Sequence, residues 1–211
     1  MGICLFIIDC ASIRKKTEFT LNPFGARLRI IAGKYRGRNL KSPMSLQVRP
    51  TSDRLRETLF NVIAPRIEGA RFLDLCAGSG AVGIEALSRD AVYVTFVDRS
   101  RKMCGLVEAN LDLCGVPEEE TEVVCSEAED FLRQAPARKR GPWDIIFFDP
   151  PYATDYMRAL NPLRSELELV APDGLLVIEH HHKNDLPDVI GELQRRRVLK
   201  QGDSSLSFYE N

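Results

Sequence analysis

The feature that most constrains this chain is a short apolar run, Arg71–Leu75, that passes directly into Cys76-Ala77-Gly78-Ser79-Gly80-Ala81-Val82-Gly83. Gly78, Gly80 and Gly83 stand in the G-x-G-x-x-G spacing, after a strand pattern and before a helical one. Glycines permit the tight turn and a close backbone approach to a ligand, and the helix N-terminus beyond them favours polar or anionic groups. Such a strand, turn and helix is the opening unit of a parallel α/β sheet.

The remainder keeps the same rhythm. Strand patterns fall at Tyr93–Asp98, Glu122–Cys125, Asp144–Asp149 and Gly174–Glu179, with helices expected over Ala81–Arg89, Arg101–Leu113 and Glu127–Gln134. Asp155–Leu169 reads as helical with a break at Pro162, and Arg197–Gln201 with Ser205–Tyr209 around Gly202-Asp203 as an antiparallel hairpin. Upstream, Leu28–Ala32 and Asn39–Lys41 flank Gly33–Gly37 as a two-stranded basic ribbon. The helix that follows is capped by Thr51 or Ser52 and ended by Pro65. The expected fold is a Rossmann-like α/β domain over residues 67–211, with a mostly parallel twisted sheet, preceded by a basic ribbon and helix over 28–66. Residues 1–27 are expected to be an extension outside the fold, disordered or arising from a start assigned too far upstream.

Net charge matters here through its distribution. Met1–Thr58 hold 12 Lys/Arg against 4 Asp/Glu, while the rest of the chain holds 17 against 26. A basic arm on an acidic body suits contact with a polyanion such as RNA. The one low-complexity patch, Ala135–Gly141, reads as a surface loop. No apolar run approaches the ~20 residues of a spanning helix, and the six cysteines show no C-x-x-C spacing. Free thiols in a cytoplasmic protein are the expectation. His180, His181 and His182 are read as a polar strand end, with no metal site expected.

Asp98 ends the second strand 18 residues beyond Gly80, where a carboxylate can accept hydrogen bonds from both hydroxyls of a ribose. The pair implies an adenosine-containing ligand, and by itself leaves a nicotinamide dinucleotide and S-adenosylmethionine both open. Asp74 favours the second: a carboxylate at the first strand's end suits a cationic ligand with an amino group and repels a pyrophosphate.

The fourth strand ends in Asp149-Pro150-Pro151-Tyr152. Pro151 has no N–H to donate, so the strand stops and the loop stiffens. The Asp149 carboxylate and the Pro150 carbonyl can grip the two N–H groups of an exocyclic amine and aim its lone pair at a methyl group. Tyr152 offers a face for stacking the base.

With those residues in view the chain resembles the class I S-adenosylmethionine-dependent methyltransferases, and more narrowly the RsmD family of 16S ribosomal RNA guanine-N2 methyltransferases. The resemblance runs from about Leu28 to the C-terminus. It is carried by Arg29–Arg38, Arg49–Asn61, the Asp74–Gly83 loop and Asp149–Tyr152. It implies a methionine-side pocket at Asp74, Gly78 and Gly80 with Cys76 and Ala77 beside it, Asp98 and Arg99 at the ribose, and Glu127 with Ala128 near the adenine. It implies catalysis by Asp149, Pro150, Pro151 and Tyr152, and RNA contacts by Arg29, Lys34, Arg36, Arg38, Arg49, Thr51 and Arg54. The implied cofactor is S-adenosylmethionine and the implied partner 16S rRNA, in the small subunit or its assembly intermediate, with a monomer sufficing and no membrane contact. The competing readings are an amino methyltransferase acting on DNA adenine N6 or protein glutamine, an NAD-linked oxidoreductase, and a non-catalytic RNA-binding protein.

Overall fold

The computed structural model describes residues 28–42, 53–151, 154–165 and 169–211. Residues 1–27, Arg49, Thr51 and Tyr152 lie outside the described residues. Among the described residues eight strands form one sheet: β1 (Arg71–Leu75), β2 (Tyr93–Asp98), β3 (Thr121–Cys125), β4 (Trp143–Phe148), β5 (Val170–His181), β6 (Val189–Ile190), β7 (Leu193–Gln201) and β8 (Ser204–Glu210). Their spatial order is β3-β2-β1-β4-β5-β8-β7-β6, with β1 to β5 parallel and the last three antiparallel. The order reverses between β1 and β4, so the crevice outside their carboxyl ends is where an open sheet of this kind takes ligands.

Among the described residues six α-helices cover the sheet: α1 (Asp53–Ile67), α2 (Ala81–Ser88), α3 (Arg101–Cys114), α4 (Ala128–Gln134), α5 (Tyr156–Ala159) and α6 (Pro162–Ser165). Alternating side chains divide the core into two layers. Phe72, Val94, Phe96, Ile145, Phe147 and Val177 pack beneath α1, α2 and α3, while Leu73, Leu75, Val97, Ile146, Phe148 and Ile178 pack beneath α4 to α6. Both faces being covered, β4 presents Ile145 to Phe148 as an unbroken buried run.

Three details differ from the sequence pattern. β5 extends beyond Gly174–Glu179 because β8 pairs along it as far as His181 opposite Ser204. The Asp155–Leu169 segment forms two four-residue helices, the second opening on Pro162, where a missing N–H costs nothing. β6 is too short at two residues to leave a periodic signal.

The expected ribbon is present but short: one antiparallel bridge, Arg29 to Asn39, with Ile30 N–H donating to the Arg38 carbonyl at 3.0 Å and Leu40 N–H to the Leu28 carbonyl at 2.8 Å. The physical reason is competition for backbone donors. Ile31 and Ala32 donate to the Glu85 carboxylate at 2.7 and 3.0 Å, Lys34 N–H to the Ser88 carbonyl at 2.8 Å, and Tyr35 N–H to Ser88 Oγ at 2.9 Å. The segment is therefore fastened to α2 as well as to itself. Gly33 allows that approach: a Cβ there would sit 1.6 Å from the Ser88 carbonyl oxygen. Leu28, Ile30, Tyr35 and Leu40 join the same apolar layer as Phe72 and Val94. Beneath them Arg56, fully buried, donates to the Arg29 carbonyl at 2.6 Å and to Asp53 at 2.9 Å, with its Nε 3.9 Å from Glu85.

Candidate functional site

The glycine-rich loop is held from below by the two carboxylates flanking it. Asp98, at the end of β2, accepts from Gly78 N–H at 2.9 Å and from Ser100 N–H at 2.8 Å, one on each oxygen. Each oxygen keeps a second lone-pair direction, so the carboxylate can still accept from a ribose diol. Asp74, at the end of β1, is only 2% exposed and accepts from Gly83 N–H at 2.9 Å, which ties the first turn of α2 to the strand. Gly83 must be glycine: a Cβ would stand 2.2 Å from the Phe96 ring. Asp74 thus underpins the loop from within the protein instead of lining an open pocket wall.

Electrostatics at this point are one-sided. Burial pushes the Asp74 carboxyl up to about 7; the Gly83 hydrogen bond opposes that and the Asp98 charge adds to it. Cys76 sits in the left-handed region at φ 65°, a conformation costing a non-glycine residue about 1–3 kcal/mol. Its thiol is pushed far up by burial and then by the carboxylates of Asp98, Asp149, Asp74 and Glu127. Four acids from four segments converge on one point, where a positively charged ligand is attracted and a pyrophosphate repelled.

β4 delivers the Asp149-Pro150-Pro151 corner to the same place: Asp149 N–H donates to the Leu75 carbonyl at 3.3 Å, beside the start of the loop. Asp149 is half-buried, Pro150 buried and Pro151 exposed. The Pro151 carbonyl accepts from Thr154 N–H at 2.8 Å, closing a turn directly after the strand. On the other side, Ala77 N–H donates to the Val97 carbonyl at 2.9 Å and Ser126 N–H to the Asp98 carbonyl at 3.0 Å. Glu127 precedes α4 with Ala128 buried behind it, and its exposed carboxylate lies 3.7 Å from the Arg99 guanidinium. Asp74, Cys76, Ala77, Gly78, Gly80, Asp98, Arg99, Glu127, Ala128 and Asp149 therefore gather along the carboxyl edge of β1, β2, β3 and β4.

The expected RNA-contacting cations are not gathered in the same way. Arg54 is exposed on the first turn of α1, and Arg29, also exposed, lies 3.7 Å from Asp53. Lys34 pairs with Glu120 at 3.2 Å, and Arg38 donates to the Leu113 carbonyl at 3.0 Å; both cations lie over the Tyr35 ring. Leu113 lies in the last turn of α3 and Glu120 directly precedes β3, at the amino edge of the sheet, so Lys34 and Arg38 face away from the catalytic corner. Arg36 is exposed on the same turn.

One residue absent from the expected set is Asn110, fully buried in α3. Its Nδ2 donates to the carbonyls of Ser79 at 2.9 Å and Lys41 at 3.0 Å, while its Oδ1 accepts from Lys41 N–H at 2.8 Å. It joins the cofactor loop to the N-terminal segment. An amide between Val107 and Leu111 on an apolar helix stripe is the signal that marks it. His181, His182 and Asp203 bring one ligand-type atom each within 4.8 Å of one another. His181 Nδ1 accepts from Lys183 N–H at 3.1 Å, which keeps the ring proton of the neutral form on Nε2, a donor and not a metal ligand. His180 is buried, with Nε2 2.9 Å from Ser207 Oγ.

A family model described as "Conserved hypothetical protein 95" matches residues 28–210. Ribosomal RNA small subunit methyltransferase D of Escherichia coli K12 is 37% identical over 184 residues, which cover 87% of this chain and 90% of that protein. The Haemophilus influenzae protein of the same name is 38% identical over 152 residues, covering 72% and 78%. Among solved structures, yhhF of Escherichia coli matches with a TM-score of 0.76 and 36% identity over 88% of this chain and 98% of that one.

Proposed function

The chain belongs to the family described as conserved hypothetical protein 95, the RsmD family, and from that membership and the site geometry we propose that it transfers a methyl group from S-adenosylmethionine to the exocyclic N2 of a guanine in 16S rRNA. The observation that carries the cofactor reading is the set of acids at the carboxyl edge of the sheet, Asp74 on β1, Asp98 ending β2, Asp149 following β4 and Glu127 preceding α4, around a loop that Asp98 holds through Gly78 N–H at 2.9 Å. When bound, S-adenosylmethionine supplies an electrophilic methyl group on a positively charged sulfur. Asp98 accepts from the ribose hydroxyls, the loop from Cys76 to Gly80 borders the methionine moiety, and the field of the acids favours the sulfonium charge.

Asp149 and the Pro150 carbonyl accept from the two N–H groups of the target amine. Its lone pair, otherwise delocalised into the guanine ring, then points along the axis of an in-line displacement. The proton leaves the nitrogen after the methyl group has arrived, so no strong general base is needed. Tyr152 stacks on the extruded base.

The substrate class is rRNA within the small subunit or its assembly intermediate, the reaction uses no metal, and a monomer in the cytoplasm suffices. No helix among the described residues is long and apolar enough to cross a membrane. The test is transfer of tritiated methyl groups to small subunits from a strain lacking the gene. Label mapping to one guanine N2 of 16S rRNA is the expected outcome, and label absent from 16S rRNA would overturn the reading.

A further inference from the structure

We propose that the open cleft at the amino ends of β1 to β4 is a second RNA-binding site, which takes the phosphodiester backbone of the substrate whose target base occupies the catalytic corner. The inference rests on the RNA reading above for the identity of its ligand. The cleft measures about 430 Å³ and is bordered by Arg71, Tyr93, Glu122, Arg138, Lys139 and Arg140, over a floor that includes Trp143. Four cations face one carboxylate, although the chain beyond Thr58 carries nine more acidic than basic residues.

The cations play different parts. Arg140 is anchored by its ion pair with Glu122 and lies over the Phe131 ring, and Arg71 lies over Tyr93, each with its centre about 5.5 Å from the ring centroid. Those two fix the walls. Arg138 and Lys139 are exposed at the turn between α4 and β4 and make no ion pair among the described residues, so their charges are available to a ligand. Lys34 and Arg38, the cations that sequence patterning favours, are by contrast engaged with Glu120 and the Leu113 carbonyl.

Guanidinium groups in an open, polar cleft suit phosphate oxygens on an extended backbone, the kind of contact that positions a nucleic acid without reading its sequence. β4 runs from the cleft at Trp143 to the corner after Phe148, six residues or roughly 20 Å. A folded RNA domain can span that length, and a single flipped nucleotide cannot. The second site therefore gives affinity for structured rRNA that the catalytic corner alone does not supply.

The experiment uses the full chain and the exposed double variant Arg138→Glu with Lys139→Glu, leaving the wall residues intact. Methyl transfer to unmodified small subunits should show KM raised on the order of tenfold with kcat unchanged. Direct binding to 16S rRNA should show a log–log salt dependence shallower by about one to two, as expected when about two phosphate contacts are lost. Titration with S-adenosylmethionine should match the parent, which certifies the fold. Unchanged KM and salt slope would overturn the proposal. So would weakened binding to the assembled subunit with undiminished binding to naked 16S rRNA, because the partner would then be a ribosomal protein. If the parent binds rRNA through Arg138 and Lys139 but methylates nothing, the reaction reading fails and the cleft stands.

Discussion

Two buried carboxylates, Asp74 on β1 and Glu85 on α2, differ in how fully they are satisfied. Glu85 is inaccessible and accepts from Ile31 N–H, Ala32 N–H and Arg89 Nε, the last at 2.8 Å, with Arg56 at 3.9 Å. Asp74 is nearly as buried and, among the described residues, accepts from Gly83 N–H alone. The first carboxylate is provided with donors by its own protein and serves architecture. The second is under-supplied, beside Asp98 and Asp149, which is how a site prepared for a cationic ligand looks before the ligand arrives.

The comparison is broken most directly at Glu85. Glu85→Ala takes the ion pair from Arg89, leaves the buried Arg56 with Asp53 as its remaining acidic partner among the described residues, and strips the N–H groups of Ile31 and Ala32 of their acceptor, so urea unfolding should show a loss of about 3–5 kcal/mol. A loss below about 1 kcal/mol would mean that the network holds nothing. Asp149→Ala should do the reverse: the unfolding midpoint stays put, S-adenosylmethionine still binds, and kcat falls about 10²–10³-fold, the usual cost of removing one positioned group from a polar catalytic site. Undiminished turnover in that variant would refute the amine-gripping mechanism. Asp98→Ala removes the acceptor for Gly78 and Ser100 as well as for the ribose. Calorimetry should show S-adenosylmethionine affinity reduced by about 1.5–3 kcal/mol, with kcat at saturation much less affected.

How legible the molecule is from sequence follows the same division. The cofactor edge is written locally: Asp74, Gly78, Gly80 and Gly83 fall within one short stretch, and the apolar runs of β1, β2 and β4 announce a sheet buried on both faces. Asp149 to Pro151 is legible because proline cannot extend a strand. The fastening of the N-terminal segment is not, since its donors and acceptors are far apart along the chain: Ile31 and Glu85 are 54 residues apart, Lys41 and Asn110 are 69. Nothing in the Leu28–Lys41 pattern shows which N–H groups pair within the ribbon, as those of Ile30 and Leu40 do, and which are taken by a helix, as those of Ile31 and Ala32 are. The basic residues mislead for a related reason. A count of charges is indifferent to which ones are neutralised, so Lys34 and Arg38 weigh the same as Arg138 and Lys139 until Glu120 and Leu113 are seen beside the first pair.

The finest test of the comparison is a titration of the ligand-free protein. Asp74 holds its proton to about pH 7 in the native state, whereas an unfolded aspartate releases it near 3.8. Between those values the native chain binds the extra proton, so the Asp74 contribution to stability is complete below the unfolded value and drains away as pH rises through the native one. Asp74→Asn keeps an acceptor for Gly83 N–H and has no proton to lose. Relative to the parent, the variant should therefore gain about 1.4 kcal/mol between about pH 6 and pH 8. Saturating S-adenosylmethionine should reduce that gain in the comparison with the parent, because a cationic ligand draws the Asp74 proton off and restores the ionised form as the stable one. A variant whose stability tracks the parent at every pH would mean that Asp74 is as well supplied with donors as Glu85, and the two carboxylates would no longer differ.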